Sequence, residues 1–242
     1  MPTEQDSFIQ RVAGFVSEGR CVLFIGPDAG ESDSQFQGLP TSGQLADEMA
    51  TAVGYRGRYV SFPQMAQVFA ERRGRQALIQ FLRARINTPT LRPLPLHRAI
   101  ARLPFRVIIS GGWDALMETA LQEQEAPYSL LRPSQQVAVD ESKVLLFQPY
   151  GNLTTFDDPN DLVITQTDQA DVLTRPRFQG LLDRLKVALR ERPLLLLGYA
   201  PQPGDLFVRL YEAIRLAQAE FTPPAFAVQA LGREDDIAAF ET

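Results

Sequence analysis

Apolar residues follow two alternating rhythms along this chain. Short, largely apolar runs at 21–25, 105–109, 144–148 and 194–197 have the length of buried strands. Between them, apolar positions recur at three- and four-residue spacing, the mark of helices with one face turned inward. Phe8, Val12, Phe15 and Val16 put such a helix ahead of the first run, and Leu116, Met117 and Leu121 put one after the second. An amphipathic helix is predicted over 178–189 and another over 205–219, with further short β-rich runs at 136–139, 162–165 and 225–228. Strands alternating with helices predict a doubly wound α/β fold with a mostly parallel, Rossmann-like sheet.

Residues 41–103 break that alternation. Thr41 or Ser42 caps a helix carrying Leu45, Met49, Ala52 and Val53. Helical spacing then continues through Met65, Val68 and Phe69, through Leu78, Phe81 and Leu82, and through Leu96, Ile100 and Leu103. Pro63, Gly74, Pro89, Pro93 and Pro95 punctuate it. The pattern predicts one domain over 1–242, with a core at 1–40 and 104–242 and a helical insertion at 41–103. The closing GREDDIAAFET opens a helix and stops inside it, which predicts either a frayed terminal helix or, the favoured reading, the N-terminal part of a longer protein.

The first apolar run ends at Gly26 and opens the loop GPDAGESDSQFQGLP, the outline of a phosphate cradle at the first βα crossing. The chemistry inside it is wrong for phosphate. Pro27 removes one backbone donor, and Asp28, Glu31 and Asp33 bring carboxylates to where an anion would sit. At 4 Å and an effective dielectric near 20, each like-charge contact opposes binding by about 4 kcal/mol.

Composition narrows the picture. At 45% hydrophobic and 22% charged, the 242 residues describe an ordinary globular protein with a full core. A net charge of −5 and a pI near 5.1 argue against a general nucleic-acid surface. Arg72, Arg73, Arg75, Arg83 and Arg85 lie on helical patterns and read as a solvated helix face. The one cysteine, Cys21, excludes an internal disulfide and a CxxC-type zinc module, and inside a strand it reads as a small hydrophobe. No apolar run approaches a membrane span and no signal peptide opens the chain, so a cytoplasmic location without membrane contact is expected.

Four stretches in order resemble the SIR2-like family, sirtuin-related NAD-consuming domains of prokaryotic defence proteins. The strand at 22–25 with GPDAG and GLPT resembles that family's first strand, its Gly-Ala-Gly-x-Ser loop and its Gly-Leu-Pro continuation. LHRAIARLPFRVIISGGWDALME resembles the segment that ends in Thr-Thr-Asn-Tyr-Asp, VLLFQPYGNL the strand that delivers a His-Gly pair, and LLLLGYAPQPGD the late strand with Gly-Tyr and a downstream Asp. The resemblance implies NAD as ligand and a remnant cleft at Gly26, Asp28, Gly30, Trp113, Gly151, Gly198 and Asp205.

The departures fall on positions that the resemblance marks as functional. Asp28 and Gly30 stand where the family places Gly and Ser, Gly112 stands in place of the Asn that would hold the nicotinamide ribose, and Tyr150 stands in place of the catalytic His. A phenol with a pKa near 10 is a poor base at neutral pH. His97, the only histidine, and Asp114 are the fallback candidates for chemistry, with packing and helix capping as their plainer roles.

The leading expectation is a degenerate, non-catalytic domain that binds a protein partner, itself or a further C-terminal domain, with no resident cofactor. An NAD glycohydrolase with a relocated base and a sensor of NAD or an ADP-ribose-like nucleotide are the alternatives.

Overall fold

The computed structural model describes residues 4–30, 38–58, 60–134, 139–155, 158–199, 205–218 and 223–228. Six four-residue strands, β1 (Val22–Ile25), β2 (Val107–Ser110), β3 (Tyr128–Leu131), β4 (Val144–Phe147), β5 (Leu194–Leu197) and β6 (Ala225–Val228), form one sheet in the order β3-β4-β2-β1-β5-β6. Every pairing is parallel, with Val22 opposite both Val107 and Leu194. All four strands expected at the centre of the sheet are present. β1 lies between β2, which continues the chain to one side, and β5, which starts the other. The crevice beyond the carboxyl ends of β1 and β5 is therefore the topological switch point, where ligands of open α/β sheets bind.

Helices cover both faces. α1 (Glu4–Ser17), α5 (Pro95–Ala101) and α6 (Leu116–Glu123) pack on one, where Leu23, Ile25, Ile108 and Leu146 point. The other, with Val22, Phe24, Val107 and Ile109, receives α2 (Ser42–Ala52), α3 (Phe62–Arg73), α4 (Arg75–Ile86), α7 (Gln166–Asp171), α8 (Pro176–Glu191) and α9 (Leu206–Gln218). As expected, residues 42–101 carry helices and no strand among those described. Thr41 caps α2 in a capping box with Gln44. Two of the prolines read as breaks start helices instead: Pro63 and Pro95 stand in first turns, where an N–H would have no intrahelical partner, as does Pro176 at the start of α8.

One strand expectation is corrected, and one strand stands where none was expected. Residues 162–165 form no strand, because their backbone groups are held by side chains and loops. Arg75 takes the Leu162 carbonyl at 2.8 Å, the Trp113 indole takes that of Val163 at 3.1 Å, and the Ile164 N–H goes to Asp168. Thr165 then caps α7. The third strand is Tyr128–Leu131, a segment with no continuous apolar run; of the run at 136–139, residues 136–138 lie outside the described residues. The helix read at 232–242 also lies outside them.

Candidate functional site

The turn after β1 is a tight 3-10 helix, Pro27–Gly30, which contains Asp28 and Gly30; Glu31 and Asp33 lie outside the described residues. Gly26 is pressed against the turn after β5. A Cβ at Gly26 would lie 2.0 Å from the Gly198 carbonyl oxygen, and one at Gly198 would lie 2.7 Å from the Ala29 nitrogen. In a dinucleotide fold such glycines let backbone approach a pyrophosphate. Here the backbone they admit is the protein's own. Gly198 also holds φ +58°, a left-handed conformation that favours glycine.

Beside this junction, three side chains from two loops meet: Tyr150 from the turn after β4, and Tyr199 and Asp205 from the connection between β5 and α9. The Tyr150 hydroxyl donates to Asp205 Oδ1 at 2.7 Å, and the same oxygen accepts the Phe207 N–H at 2.8 Å, so Asp205 caps α9. Burial, and after it the charges of Asp205 and Tyr199, push the Tyr150 phenol well above its ordinary value near 10. Tyr199 is raised in the same way, by burial first and then by Asp205. Its ring packs 4.6 Å from that of Phe24, itself 4.1 Å from Phe207. Gly151 is required by its own turn, with φ +81° and a Cβ position 2.7 Å from the Asp161 carbonyl.

The SGGWD loop after β2 is pinned throughout. The Gly111 N–H extends the ladder to the Ile25 carbonyl at 2.8 Å, and Trp113 is buried with its ring 5.1 Å from Phe62. Asp114 Oδ1 accepts the Leu116 N–H at 2.8 Å at the start of α6. Its other oxygen lies 2.4 Å from where a Cβ at Gly112 would stand, so the carboxylate occupies the space beside the missing side chain.

Sequence reading missed Gln148 and Asn152, which flank the Pro-Tyr-Gly turn. Both are buried and both donate to the Asp114 carbonyl, at 3.3 and 2.8 Å, while the Leu153 N–H bonds the Trp113 carbonyl. Arg132 Nε donates to Gln148 Oε1 at 2.6 Å and its Nη2 pairs with Glu118 at 2.9 Å, extending the network to β3 and α6. Amides on both sides of a buried turn were the available signal.

His97, on α5, is 3% exposed, and its Nδ1 has no hydrogen-bond partner among the described residues. Burial lowers its pKa below 6.5, with the Asp114 charge partly opposing. The fallback candidates His97 and Asp114 are thus electrostatic neighbours, while Tyr150 belongs to the separate Asp205 group.

The arginines read as a solvated face have structural partners. Arg72 and Arg73 bond the Val53 and Ala52 carbonyls at the end of α2, Arg75 pairs with buried Asp168 at 2.7 Å, and Arg85 pairs with Glu48 and stacks on Phe81. Among the described residues, no cluster of His, Cys, Asp and Glu could hold a metal ion, and no helix is long and apolar enough to cross a membrane.

The family model for the SIR2-like domain matches residues 106–241, from the start of β2 onward. The chain belongs to the SIR2-like family. No curated protein matches the sequence. The SIR2-like match takes in the SGGWD loop, the Pro-Tyr-Gly turn and the Gly198–Asp205 segment, whereas β1 and the Gly26 turn lie outside it.

Proposed function

We propose that this SIR2-like domain does not cleave NAD and works as a binding and assembly module of a prokaryotic defence or signalling protein; the defence setting rests on the family resemblance alone. The carrying observation is Tyr150. It stands where the resemblance expects the base, and its buried phenol already donates its proton to Asp205. A group that holds its proton far above neutral pH cannot accept one from a ribose hydroxyl. Two features support the reading: the mutual contact of the Gly26 and Gly198 turns, and the Asp114 carboxylate in the space beside Gly112.

The test is nicotinamide release by the purified chain, run with calorimetric titration of NAD and ADP-ribose. No turnover and no micromolar binding is the expected result. Turnover abolished by His97→Ala would overturn it in favour of a relocated base. Micromolar binding without turnover would overturn it in favour of a nucleotide sensor.

A further inference from the structure

We propose that the open face of the sheet at β3 and β4 is a docking groove for an amphipathic helix with acidic flanks, supplied by a partner protein. The proposal rests on the binding-module reading and gives it a surface.

In a parallel sheet both faces of an interior strand are normally covered by crossover helices. β4 is interior, between β3 and β2, yet Leu145, on the face it shares with Phe147, is only half-buried. The β3–β4 connection, 132–143, has no helix among its described residues, whereas helices occupy every other connection between successive strands. A groove of about 590 Å³ lies there. Val107, Leu131, Val139, Leu145 and Phe147 give it an apolar lining, and Val187, on the α8 wall, is 54% exposed.

The rim decides the charge of the occupant. Arg106, Arg184 and Arg192 stand against Glu141 and Glu191, a local excess of positive charge on a chain of net charge −5. Arg106 donates to the Ser142 carbonyl, while Arg184 and Arg192 make no ion pair with any described residue. A helix presenting apolar side chains at i, i+3, i+4 and i+7 would cover Leu145 and Val187, and carboxylates beside that stripe would meet the guanidinium groups of Arg184 and Arg192.

The probes are synthetic helical peptides of roughly 14 residues with one leucine stripe and a polar face of glutamate, glutamine or lysine. Binding to the intact chain is followed by anisotropy, and its location by amide chemical shifts. The glutamate peptide is expected to bind best and to shift residues 144–147 and 184–192. Val187→Asp should weaken it about tenfold, by loss of apolar burial and addition of repulsion. Arg184→Glu with Arg192→Glu should reverse the preference toward the lysine peptide. Equal binding of all three peptides, or shifts confined to another surface, would overturn the proposal. So would a homodimer that Val187→Asp dissociates, because the occupant would then be a second copy. NAD turnover would remove the non-catalytic reading without touching the groove result, so the two failures are distinguishable.

Discussion

Tyr150 and Asp205 close a 2.7 Å hydrogen bond that ties the turn after β4 to the first turn of α9. Tyr150→Phe removes the donor and keeps the ring, while Asp205 retains the Phe207 N–H. The variant should lose about 1 to 2 kcal/mol in urea unfolding and gain no NAD turnover. An unchanged midpoint would mean that the bond contributes nothing to stability.

Restoring asparagine at position 112 should not restore an active site. Its Cβ would meet Asp114 Oδ2 at 2.4 Å, so the carboxylate must swing away from the Leu116 N–H that it caps. Gly112→Asn is expected to lower stability by about 1 kcal/mol, the worth of a lost helix cap. Nicotinamide release by this variant is the measurement that would contradict the expectation.

Gly26→Ala places a methyl 2.0 Å from a backbone oxygen that cannot rotate away, so the β1 and β5 turns must separate. A loss of about 3 kcal/mol or more is expected. Gly14→Ala in α1 is the control, because a Cβ there meets nothing within 4 Å. It should be neutral or gain up to about 1 kcal/mol from helix propensity. Similar midpoints for the two variants would show that the turns are not in contact.

His97 gives stability a defined pH dependence. Its folded-state pKa is depressed below 6.5 by burial, more than Asp114 raises it. As pH falls through 6.5, the unfolded chain takes up a proton that the native chain does not, so stability decreases with acidification. Asp168 acts lower. Burial pushes its pKa up, but Arg75 and the backbone N–H groups of Thr165 and Ile164 outweigh that and hold it below 3.8. Between about pH 7 and pH 5, His97→Gln should therefore flatten the profile of urea midpoints. A slope identical to that of the parent chain would remove His97 as its source.

The central strands were legible because a strand buried on both faces must be apolar without interruption, as Val22–Ile25 and Leu194–Leu197 are. β3 was not, because an edge strand needs only every second residue inward, and Tyr128–Leu131 alternates half-buried with buried. Residues 162–165 are as apolar as a strand but satisfy their backbone through Arg75, Trp113 and Asp168, partners far away in sequence or beyond a turn. At the site, glycines ending strands could be read directly. That Gly26 meets Gly198, that Tyr150 meets Asp205, and that Gln148 and Asn152 grip the SGGWD loop could not, since each depends on which loops the sheet order brings together.

The position of β1 has one more consequence. It has a strand on each side, and its residues are almost wholly enclosed. Amide protons at 22–25 can meet solvent only when the whole molecule opens, whereas those of β3 and β6 are released by fraying at the margins. Deuterium uptake at those four positions is thus an internal gauge of the chain's global free energy, readable without denaturant.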